Sequence, residues 1–189
     1  MFIKRQNIPV RDLTRLIKGC LTRDLFSQKK IYEVYGSTMM ALCLRYSKNR
    51  EEAEEVLQDG FLQMYKCIGQ FKKRGSFEGW LRRIMINCAL QRYRANSSRY
   101  NLISLTEEHN LLHTKTDLID RLSEKELIGL IQTLSPAYRM VFNLYVFEGM
   151  KHREIASMLN ISEGTSKSNL SDARKILMKQ LAPELKMAR

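Results

Sequence analysis

No apolar run in this 189-residue chain reaches membrane-spanning length, and the opening MFIKRQNIPV lacks the apolar core of a secretory signal. Both absences set the expectation of a cytoplasmic protein without membrane insertion. Cysteine is sparse and scattered, with Cys20, Cys43, Cys67 and Cys88 forming no Cys-x-x-Cys pair. They read as reduced, mostly buried thiols. His109 and His113 stand one helical turn apart with no cysteine or third ligand nearby, so they read as loop or surface residues, not a metal site. A glycine-rich phosphate loop, a Ser/His/Asp or Cys/His constellation and metal-ligand spacing are all missing. The expectation is therefore no enzyme, no metal and no cofactor. There are no internal repeats.

Acid is short as well. Lys and Arg number 32 against 20 Asp and Glu, a net charge of +12, which favours a polyanionic partner. The excess is uneven: residues 1–100 hold 20 basic and 9 acidic side chains, residues 101–189 hold 12 and 11. Nucleic acid should be drawn most strongly to the first half. The length suits one large domain or two small ones, each with its own core.

What is present speaks most plainly in residues 134–177, LSPAYRMVFNLYVFEGMKHREIASMLNISEGTSKSNLSDARKIL. Pro136 suits a first helical turn, where its missing N–H has no partner to lose. Tyr138, Val141, Phe142 and Tyr145 recur at three- and four-residue spacing as one apolar stripe. Gly149 is placed to end that helix in a left-handed turn. Ile155, Ala156 and Leu159 give a short second helix its buried side; Asn160 and Ile161 turn the chain, and Ser162 caps a third helix. Leu170, Ala173 and Leu177 hold that helix down, while Thr165, Lys167, Ser168, Asn169, Ser171 and Lys175 occupy its other faces. A short helix, a tight turn and a longer polar, basic helix make a helix-turn-helix, whose second helix enters a major groove N-terminal residues first. The competing reading is a three-helix bundle with a merely solvated polar face.

The first hundred residues read as helical throughout. A short helix over 11–22 turns Leu13, Leu16 and Ile17 inward. Asp24 caps a longer one running to about Ser47, with Leu25, Ile31, Tyr35, Met39, Leu42 and Tyr46 as its stripe. Residues 51–68 follow an unbroken helical pattern of Ala53, Val56, Leu57, Gly60, Phe61, Met64, Tyr65 and Ile68. Glu51, Glu52, Glu54 and Glu55 crowd its N-terminus, where the helix dipole favours them. Glu55, Gln58, Asp59 and Leu62 share the face opposite the core; an acidic face in a basic protein is suited to another protein, not to DNA. The next segment, GQFKKRGSFEGW at 69–80, is a glycine-flanked basic loop bounded by Phe71 and Phe77. A helix follows with Phe77, Trp80, Leu81, Ile84, Met85 and Cys88 inward and Arg82, Arg83, Arg92 and Arg94 beside them. Cations interleaved with aromatics suit unpaired DNA, on whose bases the rings can stack. Plain core is the alternative for Phe77 and Trp80. Residues 101–122 show no sustained period and read as a flexible linker, leading into a helix near 123–134.

Three segments in order, NREEAEEVLQDGFLQMYKCIGQF, GSFEGWLRRIMINCALQRYR and the 134–177 stretch, resemble the group-four, extracytoplasmic-function sigma factors of bacterial RNA polymerase, over about residues 24–181. The resemblance implies an all-α chain of two helical domains joined by a flexible linker. Residues 1–100 would bind core polymerase and the minus-ten element, 101–122 would thread through the polymerase, and 123–189 would bind the minus-thirty-five element. By position, Glu55, Gln58, Asp59 and Leu62 fall on the helix that docks on the beta-prime clamp. Lys72, Lys73, Arg74, Gly75 and Ser76 fall on the loop that captures a flipped minus-ten base, with Arg82, Arg83 and Arg94 on the helix tracking the promoter strand. Thr165, Lys167, Ser168, Ser171, Asp172 and Lys175 fall on the minus-thirty-five helix. Implied partners are core RNA polymerase, through its beta-prime clamp and beta subunits, promoter DNA and an anti-sigma factor. Ser166 stands where the family usually has valine, Asn169 where arginine is usual, Asp172 where a basic residue is frequent, and Lys151 is a poor N-cap. A stand-alone DNA-binding regulator is the other class open, though it would need a sensor pocket in the first half.

Overall fold

The computed structural model describes residues 9–100 and 123–187; the segment at 101–122, with His109 and His113, lies outside them. Among the described residues all regular structure is helical. The chain divides into two compact units, Met1–Gln91 and Arg92–Arg189.

The first unit is built from α1 (Val10–Leu21), α2 (Leu25–Tyr46), α3 (Arg50–Cys67), a 3₁₀ turn (Ile68–Gln70) and most of α4 (Phe77–Tyr100), which runs through the division. The turn between α1 and α2 is held by Asp24, whose carboxylate accepts from the Ser27 backbone N–H at 2.9 Å and from its hydroxyl at 2.5 Å. A Cβ at Gly19 would lie 2.1 Å from Ser27 Oγ, so glycine is what lets the two helices meet there. Leu25 departs from the expected stripe: it is 78% exposed, because the residue of that first turn that faces α1 is Ser27. The stripe of α3 is buried as its periodicity predicts, from Ala53 to Met64, with Tyr65 half-buried and its hydroxyl donating to the Gln28 carbonyl at 2.8 Å. Gly60 faces α4, where a Cβ would meet Met85 Sδ at 2.1 Å. Asn49 caps α3 by accepting from Glu52 N–H. All four cysteines are free; Cys20 and Cys43 are buried, and burial pushes their thiols up to about 11 and about 12. Cys67 and Cys88 are partly exposed.

In the second unit, α5 (Glu124–Thr133), α6 (Pro136–Val146), α7 (His152–Leu159) and α8 (Glu163–Met187) surround a core of Ile131, Val141, Phe142, Leu144, Ile155, Leu170 and Ala173. Ser123 and Glu126 form a reciprocal capping box at the head of α5. Pro136 opens α6 as expected. The apolar stripe drawn on α6 is too narrow: Arg139, Asn143 and Leu144 are buried, while Tyr138 and Tyr145 are half-exposed. The helix is central, covered by α8 and α7, so its polar residues go inside and find partners there. Arg139 is the clearest case. Its guanidinium donates to the carbonyls of Ile131, Gln132 and Leu134 at 3.3, 3.0 and 2.7 Å, satisfying the C-terminus of α5 from within the core. Gly149, at φ +67°, turns the chain out of α6, with Met150 N–H on the Leu144 carbonyl. Asn160, at φ +55°, makes the tight turn between α7 and α8.

Candidate nucleic-acid and protein interfaces

The three candidate sets of residues lie in different settings in the fold. On α3, Glu55, Gln58, Asp59 and Leu62 are all exposed, on the side opposite the buried Val56, Leu57, Gly60 and Phe61. Leu62 is 58% exposed, a large apolar side chain set among acids and an amide. One exposed leucine is ordinary in itself.

The basic loop joins the 3₁₀ turn to α4. Lys73 and Gly75 both take positive φ, +56° and +102°, so the backbone doubles back over a few residues. Ser76 does structural work: its hydroxyl accepts from Gly79 N–H at 3.0 Å and caps α4. Behind the loop, Phe71, Phe77 and Trp80 pack with ring centroids 5.3 to 5.6 Å apart, Phe77 buried and the other two half-buried. Loop and helix enclose an open cleft of about 400 Å³, lined by residues 70–72 and 74–76 and by Gly79, Trp80 and Arg83 of α4. That volume is in the range of small-molecule sites. Its charged lining is Lys72, Arg74 and Arg83, with no carboxylate among them. So the core and stacking readings of the aromatics divide by residue: Phe77 is core, whereas Phe71 and Trp80 show ring surface to a cationic cleft. Gln70 and Gly79 line it too and carried no sequence signal. Lys73 lies outside the lining. Arg82 is half-buried on α4, and Arg94, exposed, falls beyond Gln91 in the second unit.

On α8, Ser162 caps the helix as expected, accepting from Thr165 N–H at 2.9 Å. Ser166, Leu170, Ala173, Leu177 and Leu181 form the buried side; Thr165 and Lys167 are exposed, and Ser168, Ser171 and Lys175 half-buried. Lys167 Nζ lies 2.7 Å from Glu163, and that ammonium holds the Glu163 carboxyl below its usual range. Asp172 is the most buried of the six residues that the resemblance places on the minus-thirty-five helix. It is only 9% exposed, with Lys175 Nζ at 3.5 Å, because its position on α8 adjoins the buried Ala173 side. At Lys151 the capping box is half-made: Glu154 accepts from Lys151 N–H at 2.7 Å, but a lysine side chain has no acceptor to return the bond. One cluster carried no sequence signal. His152 stacks on Tyr145 with centroids 4.7 Å apart, and its Nδ1 lies 2.9 Å from the buried Ser166 hydroxyl.

Among the described residues no group of three His, Cys, Asp or Glu could hold a metal, and no helix is long and apolar enough to cross a membrane.

Residues 31–99 match the family model for sigma-70 region 2, and residues 118–177 that for sigma-70, region 4. The chain is 30% identical over 162 residues to the ECF RNA polymerase sigma factor SigW of Bacillus subtilis, covering 80% of this chain and 87% of that one. It is 27% identical over 165 residues to the RNA polymerase sigma-H factor of Pseudomonas aeruginosa, covering 82% and 86%. Among solved structures it is similar to the sigma factor RpoE of Bartonella quintana, crystallised with the anti-sigma factor NepR, at 19% identity and TM-score 0.49 over 82% of this chain and 96% of that one. With both sigma-70 regions in order and most of each relative's length spanned, the chain belongs to the extracytoplasmic-function sigma factors and directs core RNA polymerase to promoters.

Proposed function

We propose that the chain divides promoter recognition and promoter opening between its two ends. Residues 1–100 bind core polymerase and the minus-ten element, 101–122 connect, and 123–189 bind the minus-thirty-five element. The exposed α3 face of Glu55, Gln58, Asp59 and Leu62 docks on the beta-prime clamp. Lys72, Lys73, Arg74 and Gly75, with Ser76 holding the head of α4, take a base flipped from the minus-ten duplex; Arg82, Arg83 and Arg94 follow the separated strand. Thr165, Lys167, Ser168, Ser171 and Lys175 meet the minus-thirty-five groove, and Asp172 acts from behind by positioning Lys175. The protein works in the cytoplasm, as an initiation factor and not an enzyme, and is held in check by an anti-sigma factor.

The observation that carries the opening role is the cationic cleft with Phe71 and Trp80 at its wall. Extruding a base costs a few kcal/mol of unstacking and unpairing. Stacking on an aromatic side chain returns about 1–3 kcal/mol per base, and cations on the strand add to that without ATP. The test is to replace residues 72–76 with a Gly/Ser loop of equal length and follow transcription by the reconstituted holoenzyme on pooled genomic promoter fragments. Core binding should persist and permanganate-reactive opening at minus ten should vanish. A template with a pre-melted bubble should recover much of the transcript. Normal permanganate reactivity with the swapped loop would reduce it to a basic tether, aiding association only in a salt-dependent way.

A further inference from the structure

We infer that His152 donates through Nε2 to a backbone phosphate of the minus-thirty-five duplex, with Ser166 holding the imidazole in that role. The inference rests on the reading of α8 as the minus-thirty-five helix.

Ser166 lies in the second turn of α8 and is wholly buried. Its hydroxyl is 2.9 Å from Nδ1 of His152, and among the described residues no other hydrogen bond of that hydroxyl occurs. A buried hydroxyl left without an acceptor for its proton is costly, so the proton goes to Nδ1. Nδ1 is then the acceptor and the ring's one N–H sits on Nε2. Tyr145 of α6, stacked on the ring at 4.7 Å, fixes its plane, and Arg174 of α8 lies over the other partner of that stack, 5.7 Å from the Tyr145 centroid. The imidazole is thus fixed both in plane and in tautomer, with one donor, Nε2, that has no partner among the described residues.

Its place in the fold says what that donor meets. His152 is the first residue of α7, the first helix of the helix-turn-helix, and through Ser166 it is tied to the leading turns of α8. In a docked helix-turn-helix the second helix enters the groove at its N-terminal end while the first crosses the backbone. The charged groups acting on the ring are Lys167, Arg174 and Glu163 of α8, and its neighbour Arg153 on α7 adds a further cation. Glu163 is engaged with Lys167 at 2.7 Å. Burial first, then Lys167 and Arg174, hold the imidazole below its ordinary pKa, so near neutral pH it is an uncharged donor among cations. A valine at position 166 would leave Nδ1 without that hydrogen bond.

The test uses the complete holoenzyme and a promoter duplex recovered from genomic fragments that it transcribes, made as a set with one methylphosphonate at each minus-thirty-five phosphate in turn. Wild type should lose about tenfold in affinity at one position. The double variant His152→Phe with Ser166→Val keeps the ring stack and an apolar core but has no N–H to give. It should bind the unmodified duplex about tenfold more weakly and be indifferent to that same methylphosphonate. His152→Gln, whose amide can still donate, should regain part of the response, which a purely structural histidine would not allow. If every methylphosphonate costs wild type and the double variant alike, the inference is overturned. If wild type itself is insensitive to base changes in the minus-thirty-five element, the reading of α8 falls first and takes this contact with it.

Discussion

Arg139 shows how one residue can organise a unit that its neighbours in sequence would have left apolar. Buried at 4% exposure, it is stable there because the Ile131, Gln132 and Leu134 carbonyls at the end of α5 surround its guanidinium. Arg139→Met would keep much of the volume and remove the donors, leaving those carbonyls unsatisfied. A cost of about 3 kcal/mol is expected, read as a lowered urea midpoint of the second unit's unfolding with its slope retained. Asp24 offers a pH test at the same scale. Hydrogen bonds from Ser27 hold its carboxyl below the usual value, so the folded state favours the ionised form. Its contribution is complete above a pH of about 4 and fades as pH falls through the lowered folded value. Thermal melts of wild type and Asp24→Asn should therefore differ near neutrality and converge as the solution is acidified; a constant gap would mean the cap acts without its charge.

At the scale of the element, the proposed reading gives α3 and α4 two different jobs that lie close together in sequence. The α3 stripe closes the core while its outer face keeps Glu55 and Asp59 in water beside Leu62. Reversing both charges, Glu55→Lys with Asp59→Lys, should leave helix content unchanged by circular dichroism and weaken core polymerase binding roughly tenfold in a fluorescence titration, chiefly through slower association. Unchanged affinity would remove this face from docking. For α8, the relevant contrast is between Lys167, exposed and paired with Glu163, and Asp172, which packs with the buried side. Lys167→Ala together with Ser168→Ala should cost about 1–3 kcal/mol of promoter binding if a base contact is lost. Run-off transcription on promoters with and without a minus-thirty-five element measures this, and a loss confined to the former is expected.

Over the whole molecule, the charge is distributed as the two proposed steps would require. Residues 1–100 carry the basic excess, where on the proposed reading a separated strand would be held, and residues 101–189 are nearly balanced, where a duplex would be read. On that proposal, binding upstream and opening downstream would act on separate free-energy terms. Replacing the 72–76 loop and introducing Lys167→Ala with Ser168→Ala in one chain should lower transcription by close to the product of the two separate effects, within about 0.5 kcal/mol. Strong departure from that product would show the two contacts to be coupled through the polymerase or the DNA.

The helices, their order and most of their caps were legible in the residues alone. Periodicity, Pro136, Gly149, Asn160 and Ser162 act through neighbours within a turn or two of chain, so short-range physics decides them. The candidate faces were legible where charge runs against a clear stripe, as on α3. What the sequence could not determine depends on packing between helices that lie far apart in the chain. A stripe drawn on one helix assumes one buried side, and α6, covered by several neighbours, has more; that is why Arg139 and Asn143 are inside and Tyr138 is not. The same reason places Leu25 in water, seats Asp172 beside the core, gives the basic loop an aromatic wall from α4, and brings His152 to Ser166 across 14 residues. Local pattern selects the element, but only the neighbours it meets decide which of its side chains are left for function.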